Sequence, residues 1–142
     1  MSQQRPRKPT APGGTPRHLL LADDGSAAAA RARAFALTLA AAAGARLTVA
    51  YVREPTESQR DAAGRLAPTL AAAAAAGVAC KVLIERPVGV TNPGRRILAA
   101  ATRTRADLIV VGARGHGLVH KLLGSVSRYV VSHARISVSV VR

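Results

Sequence analysis

Short apolar runs alternate along this chain with longer, alanine-rich segments. Residues 18–22 (HLLLA) form a continuous apolar run stopped by Asp23-Asp24-Gly25-Ser26, the pattern of a buried strand that ends in a turn. Ser26 is placed to cap the segment that follows. Residues 27–43 are rich in alanine, the best helix former, with Phe35, Leu37 and Leu39 among them and Arg31 and Arg33 set outside; Gly44 suits the stop. Residues 46–53 (RLTVAYVR) predict a second strand. A second helix is expected over 57–76, closed by Gly77, with Pro68 kinking or dividing it. Residues 78–85 (VACKVLIE) read as a third strand and 87–93 as a loop. Pro93 then stands where a first helical turn tolerates it, before a third helix over 94–105. The most apolar run, 106–111 (ADLIVV), is the fourth strand. A loop punctuated by glycines covers 112–124, a fourth helix 125–133, and a last strand 136–141, with Ile136, Val138 and Val140 on one face.

Five strands alternating with four helices predict an α/β fold: a single doubly wound, parallel five-stranded sheet covered on both faces. Right-handed crossovers leave few topologies for it. Ligands of such sheets bind beyond the carboxyl ends of the strands, where the strand order reverses. Those ends fall here at Asp24, Val52 and Gly112. No second copy of the pattern occurs.

The chain has 142 residues, the size of one domain, and 49% of them are apolar, which excludes wholesale disorder. The longest uncharged apolar stretch, residues 67–80, is shorter than the roughly 20 residues of a membrane span. No charged start followed by an apolar run marks a secretory leader. Cys80 is the only cysteine, so neither an internal disulfide nor a cysteine metal cluster can form; it reads as a small buried hydrophobe in a cytoplasmic protein. Residues 1–17, with four prolines and four basic residues, are expected to be a disordered basic tail, and the folded domain to cover 18–142.

A net charge of +14 favours anionic partners. Arginine supplies 18 of the 21 basic residues and alanine 31 of the 142, a pair of biases that GC-rich coding also produces. With one phenylalanine, two tyrosines and no tryptophan, the chain lacks the stacking platforms of a single-strand nucleic-acid binder.

Candidate chemistry concentrates in Val111-Gly112-Ala113-Arg114-Gly115-His116-Gly117 and Leu122-Leu123-Gly124-Ser125-Val126-Ser127. Glycines let a backbone approach an anion, and the second cluster opens a helix, whose free N–H groups and dipole attract phosphate. Ser125 or Ser127 could add a hydroxyl, and Arg114 a bidentate fork, with His116, His120 and Lys121 on the same excursion. No Gly-Lys-Ser/Thr occurs, so this is not a Walker A loop, and no G-x-G-x-x-G follows the first strand. His18 and His133 read as structural. No nucleophile with an aimed base can be assembled, which leaves at most slow hydrolysis.

Gly112-x2-Gly115, a spacer, then Gly124-Ser125-Val126 at a helix start after an Ala-Asp-Leu-Ile-Val-Val strand resembles the universal stress protein family. Asp24-Gly25-Ser26 and residues 91–98 (TNPGRRIL) match further segments, and the resemblance covers 18–142. It implies strand order 3-2-1-4-5 and binding of ATP, alone or with Mg. Asp24 would meet the adenosine part, with Ala22 beside it among the nucleotide-binding residues, and Tyr51 would lie against adenine through its backbone. Backbone at Gly112, Gly115, Gly124, Ser125 and Val126 would hold the phosphates, and Arg114, from its own place in the loop, joins the nucleotide-binding set. The resemblance also implies a homodimer through the last strand, Ile136 to Val141, an edge without proline or inward charge. The chain departs from the family in its spacer, which has eight residues between Gly115 and Gly124 where nine are usual, and in Asp23, expected to be a solvated turn carboxylate beside Asp24. The function expected is a stress-response module in which ATP controls oligomers or partners. The alternatives are a dimeric interaction protein of the same fold without nucleotide, or a basic nucleic-acid binder.

Overall fold

A computed structural model describes residues 14–89, 91–113 and 123–142. Residues 1–13, most of the expected tail, lie outside the described residues, as do Arg114, Gly115, His116, His120 and Lys121. The elements run β1 (His18–Ala22), α1 (Ala30–Ala43), β2 (Arg46–Val52), α2 (Gln59–Ala75), β3 (Cys80–Glu85), α3 (Pro93–Thr104), β4 (Leu108–Gly112), α4 (Ser125–His133) and β5 (Ser137–Val141). The five strands form one sheet in the order β3-β2-β1-β4-β5, and all four pairings are parallel. The order that the family resemblance implies is the order found. Arg17 is already bound to the sheet: its N–H donates to the Asp107 carboxylate at 2.9 Å and its carbonyl accepts from Arg46.

Side chains alternate across the strands and build two cores. Leu19, Leu21, Leu47, Val49, Tyr51 and Val110 face α1 and α2; Leu20, Ala50, Ile109 and Val111 face α3 and α4. Helix α1 meets the sheet through Ala32, Ala36 and Ala40, not through its larger side chains, and Phe35 stays exposed. Methyl-sized contacts let the helix axis sit close to the strands. Arg33, expected outside, turns back toward the end of β1. Its first turn is not capped by Ser26 as expected: the N-cap is Ala29, and Ser26 Oγ instead accepts from the Ala29 N–H at 3.3 Å, in the turn that leads in.

Helix α2 is capped by Ser58, which accepts from the Asp61 N–H, and runs unbroken through Pro68. Helix α3 has Pro93 in its first turn, as expected, and the structure adds Asn92 as its N-cap. Its end differs. Arg105 takes the left-handed conformation at φ 58°, where a glycine would be usual, and Ala106 N–H returns to the Ala101 carbonyl. At Gly94 an added Cβ would lie 3.0 Å from the Tyr129 ring, so the absent side chain permits the close crossing of α3 and α4. Cys80 packs half-buried on the edge strand, and burial pushes its thiol up. Among the described residues no helix is long and apolar enough to cross a membrane.

His18 and His133 are structural, as read. His133 stacks on Tyr129 with ring centroids 4.1 Å apart. His18 is buried at the amino end of β1, with Nε2 2.7 Å from Thr48 Oγ1. Burial, then the Arg46 charge, lowers its pKa from 6.5; Lys81 adds to this, while the nearby Thr104 backbone and the Asp107 charge oppose it. The unfolded chain therefore binds more protons than the folded one between the lowered value and 6.5, and stability falls as pH drops through that window. Thermal unfolding from pH 8 to pH 5 is expected to show this decline, and His18→Gln to flatten it.

Candidate functional site

The carboxyl ends of β1 and β4 lie side by side where the strand order reverses, the place where open α/β sheets bind ligands. The chain leaves β1 through two overlapping turns. Asp23 Oδ1 accepts from the Gly25 N–H at 2.8 Å, and Asp24 Oδ1 from the Ser26 N–H at 2.9 Å. Gly25 has φ +75°, and a Cβ there would lie 2.6 Å from the Arg65 carbonyl oxygen. The turn is thus pressed onto the backbone of α2.

Asp24 is half-buried and Ala22 packs on the α3/α4 side. Asp23 is not the solvated turn residue expected. Its side chain has 0% exposure, continues the Leu19–Leu21 face inward, and meets Arg33 from α1 and Thr69 from α2. Strand alternation carried that signal in the sequence, because a period of two puts residue 23 on the same face as 19 and 21. Thr69 was detectable as the one polar residue on the buried stripe Ala62, Leu66, Thr69, Ala73.

At the end of β2 the structure separates Tyr51 from Val52. The Tyr51 ring packs in the α1/α2 core and its hydroxyl donates to Glu57 Oε2 at 2.5 Å. Burial, then this hydrogen bond, pushes the phenol up to about 12. Glu57 also pairs with Arg65, and the Tyr51 hydroxyl, the largest influence, draws the Glu57 pKa down. Backbone direction alternates as well. Asp23 N–H donates to the Ala50 carbonyl, and Arg53 N–H to the Glu85 carbonyl. Residues 50 and 52 therefore turn their polar groups toward β1, and residues 51 and 53 toward β3. Val52, two residues past the last paired position Ala22–Ala50, turns its backbone polar groups to the β1 side, beyond the end of that strand.

Gly112 ends β4 opposite Val141. The next residue, Ala113, donates to the Val141 carbonyl at 2.7 Å and accepts the Gly124 N–H at 2.8 Å. Ser127 Oγ lies 3.1 Å from the Ala113 oxygen and 3.0 Å from that of Gly124. Buried there, Ser127 is a structural anchor and not the hydroxyl donor considered for it. Gly124 is extended, at φ −62° and ψ 163°, and its amide is already used. Ser125 is exposed and Val126 half-buried, and their amides belong to the first turn of α4, which lacks intrahelical acceptors. Asn92 ties the start of α3 to this turn by donating from Nδ2 to the Ser125 carbonyl at 3.3 Å. Ala22, Asp24, Gly112, Ser125 and Val126 thus gather at the carboxyl edge, while Arg114 and Gly115 lie outside the described residues.

A parallel 3-2-1-4-5 sheet with a helix start and a carboxylate at its reversal point defines the doubly wound class that takes ligands at this edge. The model of the universal stress protein family matches residues 15–142, and the chain belongs to that family. It is 48% identical over 67 residues to universal stress protein Sll1388 of Synechocystis, and spans less than half the length of the curated relatives it matches. Among solved structures, a universal stress protein in complex with cAMP superposes with a TM-score of 0.75 at 27% identity, covering 91% of this chain and 98% of that one. A universal stress protein family member from Burkholderia pseudomallei gives 0.71 at 28% identity, covering 92% and 98%.

Gly25→Ala is expected to destabilise the fold by about 1–3 kcal/mol, since it forces a β-carbon into left-handed backbone against α2. The urea midpoint checks this.

Proposed function

We propose that this chain is a cytoplasmic stress-response module that binds adenine nucleotide, ATP being the ligand expected, and that binding controls its oligomers or partners. The observation that carries the reading is the convergence at the reversal point of three groups of complementary chemistry. Asp24 supplies an acceptor for ribose or adenine donors. Val52 supplies backbone polar groups directed at the same edge, and takes the place expected for Tyr51. The amides of Ser125 and Val126, at the positive end of the α4 dipole, supply donors for phosphate. The cAMP complex of a structurally similar relative supports an adenine nucleotide as the ligand class. Arg33 pairs with Asp23, so the second carboxylate of the turn does not add an uncompensated charge against the phosphates.

ATP at 100 times its dissociation constant is expected to add about 2.7 kcal/mol of stability, read as a rise in melting temperature. Asp24→Ala is expected to weaken ATP by about 1.5–3 kcal/mol, the worth of a hydrogen bond to a charged group. Calorimetric titration measures it. No shift with ATP, AMP or cyclic nucleotide would favour an interaction protein of the same fold.

The oligomer we propose is a homodimer through β5. That strand lies at the sheet edge, and Val141 turns its carbonyl toward β4. By alternation Ser137 and Ser139 also face β4, and Val138 and Val140 turn their N–H groups outward. An edge with outward donors can pair with a second copy across a two-fold axis. Val138→Pro, which removes an outward donor, is expected to give a folded monomer by light scattering; Ser139→Pro, which breaks the ladder to β4, is expected to unfold the strand. A wild-type monomer at tens of micromolar would sink the dimer.

A further inference from the structure

The Asp23 carboxylate is buried and its two oxygens take four hydrogen bonds. Oδ1 accepts from the Gly25 N–H at 2.8 Å and from Arg33 Nη2 at 2.8 Å. Oδ2 accepts from Arg33 Nε at 2.8 Å and from the Thr69 hydroxyl at 3.0 Å. Arg33 Nη2 reaches one group more, the Ser26 carbonyl at 3.2 Å. Ser26 is the residue whose N–H holds the Asp24 carboxylate. The fork therefore grips both ends of the turn that carries Asp24, from α1, while Thr69 and the Arg65 backbone close on it from α2.

The two neighbouring aspartates have different tasks. Residue 23 follows Leu19 and Leu21 into the α1/α2 core, where Arg33 and Thr69 meet it, whereas residue 24 stays half-buried in the turn with its carboxylate on the Ser26 N–H. A short carboxylate on an irregular turn would sample several directions if only the turn held it. A ligand would then have to order it, at a cost to affinity.

We propose that Asp23 is a positioning residue for nucleotide binding: with Arg33, Thr69 and Gly25 it forms a buried clamp that fixes the Asp24 carboxylate for the adenosine part of the ligand. The proposal rests on the nucleotide-binding reading above. It makes the helices α1 and α2, which hold none of the proposed contact groups, determinants of affinity. Because the clamp acts on the nucleoside end, its loss weakens ATP and adenosine by the same factor.

The test is calorimetric titration of the full chain with ATP and, separately, with adenosine. Thr69→Val keeps the volume but leaves Oδ2 one donor short. It is expected to lower affinity five- to twentyfold for both ligands, and Thr69→Ser, which returns the hydroxyl, to restore it to within twofold. Val78→Ala, in the same core but beside the amino end of β3, controls for stability alone: it lowers the melting temperature and leaves both affinities unchanged. If Thr69→Val does not fold, Arg33→Lys replaces it, keeping the charge but losing the fork, with the same loss expected for both ligands. Wild-type affinity in the folded variant, or a loss confined to ATP, overturns the clamp. A wild-type chain that binds neither ATP nor adenosine overturns the nucleotide reading itself.

Discussion

A carboxylate with no exposed surface must find its donors inside the protein, and Asp23 draws them from three parts of the chain: its own turn, α1 and α2. Losing one partner of such a buried pair costs about 3–5 kcal/mol, because the other charge is left without compensation. That penalty ties the positions of both helices to the end of the central strand. Gly25 adds a steric requirement to the electrostatic one, since no side chain fits between its backbone and the Arg65 carbonyl. The turn that carries Asp24 is thereby set by packing against α1 and α2.

The rest of the architecture allows this closeness. Alanines at 32, 36 and 40 bring α1 down onto the strands, within reach for the Arg33 fork. On the other face, Gly94 brings α3 against Tyr129 of α4, and Asn92 bonds across to Ser125. The start of α4 is fixed three ways, through Asn92, through the Gly124 amide on Ala113, and through buried Ser127. Among the described residues the proposed anion-binding amides are therefore held by three ties, and a group held before binding costs less to order.

Much of the fold was legible in the residues. The run HLLLA, the alanine-rich segments and the run ADLIVV announced buried strands between helices, and β1 and α4 begin and end where the pattern puts them. Turn chemistry located the carboxyl ends of these strands, because Asp23-Asp24 and Gly112 follow the apolar runs directly. The strand order that the resemblance to the family implies is the order of the sheet. Boundaries were less exact where tertiary contacts decide them: α1 begins at Ala30 because the chain first completes the turn around Asp23, and α3 ends with Arg105 in a conformation its side chain alone would not choose.

What local sequence left open was the partner that each polar group at the strand ends would find. Composition could not tell whether Asp23 or Asp24 faces water, because both are turn formers and both suit the end of a strand. The sheet decides it, by continuing the alternation of Leu19 and Leu21 into a core where Arg33 and Thr69 wait, 10 and 46 residues further along the chain. Tyr51 and Val52 are likewise adjacent in sequence, yet the pairing of β2 with β3 on one side and β1 on the other turns their backbones to opposite neighbours. Periodicity and turn residues belong to the local chain and can be read from it. Hydrogen-bond direction and the neutralisation of a buried charge depend on partners brought close only by folding.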